Sequence, residues 1–480
     1  MEMDWIAVLP QLFLTAGGFL IFCVGAFWRR RPSEFLFWMA LIAVCMAGMA
    51  TVVMEPRAHL FSGMLEVSGY GQFFAFLFTV ITAITLLFAF PYSRARGFGG
   101  DEFFGLILFA ALGMTLVAGA VHWLTFFLGL EILSISLYVL IAIRKDDPSS
   151  NEAGLKYFIM GVVASAFLTF GLAMIYATTG TLSIARSLSV DVEVVNTPGL
   201  LLGLSLLLVG ICFKISLVPF HLWAPDVYQG APAPVTAFLS TGSKVALFAA
   251  LLRFSFYATN SVWTHFVPAL WALAVLTMVV GNITALSQSH VKRLLAYSSI
   301  AQMGYLLMAL SAIKQNGASS VMFYLTVYAL MDLGAFGVLG SLSPEKGDLD
   351  ALDDYRGLGY SHPFRSALLT ICLFSLAGFP PTAGFIGKFA LFQVTLQADF
   401  IVLAVIGMLT VILSIYVYLK VIVSLYMRPA ERQISILAPA ISERVAGGLI
   451  FILILWLGLS PSFLLAAITQ VTSSLSVLSP

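Results

Sequence analysis

The chain has 480 residues, 60% of them hydrophobic and only 10% charged, with a formal net charge of +1. A soluble domain carries about 25% charged residues, so a water-soluble fold is excluded. The near-neutral balance also excludes the basic footprint of a nucleic-acid-binding protein, so no nucleic-acid partner is expected and the lipid bilayer is.

Windows of about 20 apolar residues, long enough to cross a bilayer, recur along the whole chain. They predict spans at 6–28, 35–54, 70–91, 103–121, 123–143, 156–178, 200–221, 233–257, 265–287, 293–313, 319–341, 364–397, 399–427 and 445–468. The first is too long for the roughly 7–15-residue apolar stretch of a cleavable signal, so it is read as a span. Helices are expected throughout, because lipid satisfies no backbone group and a barrel would show short alternating strands instead. The longest polar stretch, 343–363, is too short for a domain. One integral membrane domain over 1–480 is therefore expected, an all-α polytopic protein of about 14 transmembrane helices.

Orientation follows from the basic residues. Loops after odd spans carry fifteen: Arg29, Arg30, Arg31, Arg94, Arg96, Arg144, Lys145, Lys292, Arg293, Lys346, Arg356, Arg365, Arg428, Arg432 and Arg444. The other side carries four, Arg57, Arg186, Arg253 and Lys314. Both termini are thus expected on the periplasmic side of a bacterial inner membrane. The four cysteines (Cys23, Cys45, Cys212, Cys372) are solitary in apolar runs and read as small buried hydrophobes, with no metal-ligand spacing. No nucleotide, haem or metal motif is present, so no cofactor or metal is expected in this chain.

Two spans contain helix breakers. Ser216-Leu217-Val218-Pro219 follows Lys214 in the seventh, and Gly378-Phe379-Pro380-Pro381 precedes Lys388 in the twelfth. Proline removes a backbone donor and clashes with the preceding turn, so helices 7 and 12 are expected to be discontinuous. Paired interruptions at corresponding places point to inverted repeats with an ion site at the break. The spacing of five spans predicts two inverted five-helix repeats, spans 4–8 (103–257) and 9–13 (265–427), between N-terminal helices in 1–102 and a last helix at 445–468.

Glu131, Lys214, Lys244 and Lys388 lie inside otherwise apolar spans, where an ionisable group is costly and usually marks an ion or proton path. Burial drives carboxyls and amines toward neutrality and an opposite charge within about 4–6 Å reverses this, so small movements can switch such groups. Glu131 and Lys214 are read as a coupled pair, Lys244 as the middle relay and Lys388 as the exit-side lysine; the competing reading is a static buried ion pair. Lys156 begins its span and has the option of snorkelling, as has Lys420. Asp332, mid-span, is open between a partner for one lysine and a relay group. His221, after the first break, is open between relay and loop hydrogen bonding, whereas His122 is read as structural. Ser298 and Ser299 are read first as close helix packing, with hydroxyls open to holding water.

The stretch FKISLVPFHLWAPDVYQGAPAPVTAFLSTGSKVA (213–246), with HVKRLLAYSSIAQMGY (290–305) and LAGFPPTAGFIGKF (376–389), resembles the antiporter-like membrane subunits of respiratory complex I, NADH-quinone oxidoreductase. The resemblance covers essentially the whole chain and is nearer the smaller subunits than the larger L and M types. It implies a proton-pumping subunit in the membrane arm beside other membrane-arm subunits, with NADH, FMN, iron–sulfur clusters and quinone on partner subunits. By it, Glu131, Lys156, Lys214, Lys244 and Lys388 are the family's membrane charges; Asp332 departs from its pattern. Two other classes share the broad features: a subunit of a cation/proton antiporter or membrane-bound hydrogenase of the same fold, and a stand-alone secondary transporter. Charges spread over five spans suit a lateral path better than one enclosed site.

Overall fold

The computed structural model describes residues 5–28, 33–55, 57–313, 317–345, 347–430 and 435–476. Arg29, Arg30, Arg31, Lys314, Lys346 and Arg432 of the charge count lie outside them. A 3-10 turn leads into α1 (Leu9–Phe27) and α2 (Ser33–Val53). An antiparallel hairpin of β1 (Arg57–Leu60) and β2 (Leu65–Val67) follows. Then come α3 (Gly69–Ala95), α4 (Asp101–Gly119), α5 (Trp123–Ile141) and α6 (Pro148–Thr179). The short helices α7 (Ile184–Leu188) and α8 (Val192–Val195) precede α9 (Pro198–Lys214) and α10 (Trp223–Gly230). Next are α11 (Ala233–Phe238), a π-helical turn (Leu239–Ser243), α12 (Lys244–Tyr257), α13 (Asn260–Ser287), α14 (Val291–Ser311) and α15 (Ala318–Ser341). The chain ends with α16 (Leu358–Ser361), α17 (Pro363–Ala377), α18 (Ala383–Gln397), α19 (Ile401–Met427), α20 (Ile441–Leu459) and α21 (Ser462–Ser476).

Among the described residues, twelve helices are long and apolar enough to cross a membrane, counting α11, the π turn and α12 as one. Most coincide with a predicted span, although α6 starts at Pro148, where Asp147 caps Ser149 N. Both expected interruptions are present: α9 stops at Lys214 and helix resumes at Trp223, and α17 stops at Ala377 and resumes at Ala383. The predicted last span at 445–468 needs correction. It is divided at Ser460-Pro461 into α20 and α21, because proline at 461 supplies no backbone donor to continue α20.

Burial sorts the helices. The most apolar windows of the α11–α12 span and of α15 are wholly buried and that of α14 is 94% buried, against 33% for α6 and α13. These inner helices form an axis, and the others present apolar faces outward. Close crossings rest on small residues: a Cβ on Gly171 of α6 would stand 2.7 Å from Gly203 O of α9. Cys212 and Cys372 are buried as expected, whereas Cys23 and Cys45 lie exposed on α1 and α2, whose outer sides are apolar surface rather than core. Arg253 also needs correction. It is not a loop cation but sits inside the last turns of α12, 1% exposed.

Candidate functional site

The first break sets Lys214 at the end of α9, facing the middle of α5. Its amine donates to Ser134 Oγ at 2.8 Å and to Tyr138 OH at 3.4 Å, and it is 4% exposed. Glu131 lies one helical turn before Ser134 on α5, half-buried, and accepts from Ser165 Oγ of α6 at 2.6 Å. The two expected partners therefore share a helix face. Among the described residues no direct ion pair joins them; hydroxyls stand at both.

Lys244 follows the π-helical turn, a feature that often marks functional helix sites. Wholly buried, it donates to Ser299 Oγ at 2.6 Å. Ser299 is 2.6 Å from Tyr328 OH, and Tyr328 donates to Asp332 Oδ2 at 3.3 Å and to Ser240 O at 3.1 Å. Asp332, 1% exposed, is thus joined to Lys244 by two hydroxyls. Lys388 is held elsewhere, on the carbonyls of Leu376 (2.7 Å) and Ala377 (3.4 Å). These carbonyls are left open where α17 stops, the negative end of a helix dipole, and so suit an amine. Gly378 makes that stop at φ +89°, and a Cβ there would press on Lys388 Cδ at 3.2 Å.

The remaining expected residues fall outside these clusters. Lys156, 43% exposed, pairs with Glu152 and Asp226, each at 2.8 Å, and Asp226 also takes Arg293 at 2.6 Å. His221 is buried against the Tyr297 ring, centroids 6.3 Å apart, and among the described residues it makes no hydrogen bond to a lysine. His122 caps α5 through Leu124 N, the structural role expected of it. Lys420 donates to Gln288 O at 2.8 Å, just beyond the end of α13.

Residues 120–414 match the model of the NADH:quinone oxidoreductase/Mrp antiporter transmembrane family. The chain belongs to that family. NADH-quinone oxidoreductase subunit N 1 of Solidesulfovibrio magneticus is 45% identical over 467 residues, 96% of this chain and 97% of that protein. A chain of respiratory complex I from Thermus thermophilus with bound aureothin superposes with a TM-score of 0.82 at 34% identity, covering 96% of this chain and 99% of its own. A chain of a membrane-bound sulfane sulfur reductase, an archaeal respiratory membrane complex, gives 0.88 at 24% identity over 98% of both chains; it shows the shared fold alone.

Within this family member the sequence reading missed the neutral groups around the charges. Gln302 of α14 donates to Leu376 O (3.2 Å), the same carbonyl that Lys388 holds, and to Tyr418 OH (3.0 Å). Tyr418 in turn bonds Ser298, and Gln302 accepts from Tyr324. Ser298 and Ser299, read as packing residues, thus each belong to a lysine's network as well. Nothing in hydropathy marks a hydroxyl or amide as an amine's partner. Among the described residues, no group of three or more His, Cys, Asp or Glu side chains comes together as metal ligands.

Proposed function

We propose that this chain is a proton-translocating membrane-arm subunit, of the N type, of a bacterial NADH:quinone oxidoreductase, and that its membrane charges form the proton relay. The enzyme's redox chemistry belongs to other subunits, where NADH, FMN, iron–sulfur clusters and quinone reside; this chain's neighbours are the other membrane-arm subunits. It lies in the inner membrane with both termini periplasmic. Its fourteen spans comprise two inverted five-helix repeats, each carrying one broken span beside a relay lysine.

One observation carries the relay. Lys214, Lys244 and Lys388 are all buried, and each is held by neutral oxygens rather than by a carboxylate. A serine hydroxyl both donates and accepts, so Ser134 and Ser299 can bond the ammonium as acceptors and the neutral amine as donors. The proton can therefore leave without stranding a polar group. Glu131, held by Ser165, responds to rearrangement in the adjoining subunit and shifts the balance at Lys214. Lys244 then takes the proton, with Asp332 as a charge held two hydroxyls away, and Lys388 passes it on. Lys156 and His221 serve the cytoplasmic approach.

Lys214→Met and Lys244→Met test this, since each keeps the side chain's size without the amine. The expected outcome is an assembled complex that oxidises NADH but ejects fewer protons per electron pair. A wild-type ratio in both variants would end the relay reading.

A further inference from the structure

The hydrogen bonds between Lys244 and Asp332 take their direction from the two ends. The Lys244 ammonium has only hydrogens to offer, so it donates to Ser299 Oγ at 2.6 Å. The Asp332 carboxylate has only lone pairs, so Tyr328 OH donates to its Oδ2 at 3.3 Å. Tyr328 has a single hydrogen, which leaves its oxygen to accept from Ser299 at 2.6 Å. Ser299 gives its own hydrogen to Tyr328 and accepts from Lys244. All three bonds therefore run one way, from the amine through two hydroxyls to the carboxylate. The four side chains come from α12, α14 and α15, and all are buried.

A hydroxyl chain of uniform direction has a second form in which every bond is reversed. Lys244 gives a proton to Ser299 Oγ, Ser299 gives its own to Tyr328, and Tyr328 gives its own to Asp332 Oδ2. One N–H and two O–H bonds break, and three O–H bonds form. An ammonium and a carboxylate become an amine and a carboxylic acid. Each hydroxyl still has a donor and an acceptor: the acid donates to Tyr328, Tyr328 to Ser299, and Ser299 to the amine lone pair.

Opposing effects bring the two forms together. Two separated charges in a buried site are costly, which favours the neutral form. The Tyr228 ring, its centroid 5.4 Å from Lys244 Nζ, favours the ammonium. So does Ser240 O, which accepts from Tyr328 at 3.1 Å and loses that hydrogen when the chain reverses. Ser240 belongs to the π-helical turn that precedes Lys244, so the reversal also frees a carbonyl of that turn.

We propose that Lys244 and Asp332 share one proton through Ser299 and Tyr328. Tyr328 is then a proton-carrying residue, and Asp332 is where the proton waits while Lys244 is neutral. This rests on the relay reading and adds to it a carrier that is neither lysine nor glutamate.

The test uses the whole purified complex in liposomes and Tyr328→Phe, which keeps the ring and removes the hydroxyl. Infrared difference spectra between the resting and the NADH-reduced complex read the C=O stretch of a protonated carboxylic acid, which a carboxylate lacks. The wild type is expected to show such a band, and Asp332→Asn to remove it. Tyr328→Phe should remove it too, with Asp332 still in place, and should eject several-fold fewer protons per NADH oxidised. Ser299→Ala breaks the chain one link earlier and should give the same two losses, which keeps the test decisive where Tyr328→Phe assembles poorly. A wild type without an Asp332-dependent band, or a band that survives in either hydroxyl variant, would overturn the proposal. Wild-type ejection in either hydroxyl variant would do the same. Lys244→Met, run alongside, separates the two readings. If it loses ejection while the hydroxyl variants keep theirs, the shared proton fails and the relay stands; if all eject like the wild type, both fall.

Discussion

Arg253, Arg365 and Lys292 are buried as deeply as Lys214, Lys244 and Lys388, yet they keep different company. Arg253 pairs with Glu66 at 2.8 Å, with Tyr257 OH on the same carboxylate oxygen at 3.2 Å. Arg365 takes both oxygens of Glu443, the Nη2 contact at 2.7 Å. Lys292 meets Asp348, which also takes Tyr92 OH at 2.7 Å and Arg96. These pairs lie at helix ends, whereas Lys214, Lys244 and Lys388 lie at breaks and in the inner helices, on neutral oxygens. On the relay proposed above, the partner rather than burial marks the group that titrates. A guanidinium stays charged under any accessible condition and needs a permanent counter-charge. An amine on a serine has no such anchor.

The comparison breaks most sharply at Glu66. Removing one partner of a buried ion pair typically costs about 3–5 kcal/mol, because the other charge is stranded. Glu66→Gln should therefore lower the melting temperature or assembly yield of the complex severely. Lys244→Met, whose nearest carboxylate Asp332 keeps its bond from Tyr328, should change assembly far less. The double variant Glu66→Gln/Arg253→Met should recover most of the loss. A single Glu66→Gln that melts like the wild type would remove the distinction between the two sets of cations.

Asp348 sharpens it with pH. Burial by itself would raise this loop carboxyl, but Lys292 and Arg96 beside it, with the bonds from Lys292 and Tyr92, hold it below its ordinary 3.8. A depressed carboxyl stabilises the fold above its unfolded value and loses that contribution as pH falls through the folded one. Asp348→Asn should thus show a constant deficit in thermal stability from about pH 8 to about pH 5, narrowing only below about pH 4. A gap that closes already near neutrality would mean the pair is not what holds this loop.

Much of this division was legible in the chain, and the part that was not has a physical cause. Apolar length gave the spans, and Pro219 and Pro380-Pro381 gave the breaks, because these signals are local. Glu131 and the three lysines stood out as charges against apolar neighbours. The partners did not: Lys214 reaches Ser134 across 80 residues and Arg253 reaches Glu66 across 187. Arg253 was read as an outer-loop cation because it stands near the end of its span, and Glu66 lies in a hairpin with no periodicity to place it. The stop at Pro461 was present in the sequence but outweighed by the apolar run around it.

Asp332 is the carboxylate joined to Lys244 through Ser299 and Tyr328, and it tests whether that cluster tolerates a charge. Asparagine keeps an oxygen for Tyr328, so Asp332→Asn should cost at most about 1 kcal/mol of stability, the net worth of one hydrogen bond. Proton ejection should fall several-fold without being lost, since the Lys244–Ser299–Tyr328 bonds remain. Measured side by side with Lys244→Met at equal NADH oxidation, a loss as complete as that of the lysine variant would make Asp332 an obligatory carrier.

The smallest effect is expected at Lys156, which belongs to neither set. It makes two carboxylate contacts, like the end-of-helix cations, but is 43% exposed. Exposed pairs contribute about 0–1 kcal/mol because water and salt screen them. Arg293 would still hold Asp226, so Lys156→Met strands nothing. Thermal stability should move within that range, and the remaining difference should vanish at high ionic strength. Proton ejection should drop modestly, through a slower approach to Lys214 rather than a missing carrier. Complete loss of ejection at unchanged stability would place Lys156 with the relay lysines despite its carboxylate partners, and exposure rather than partner chemistry would then be the property to re-examine.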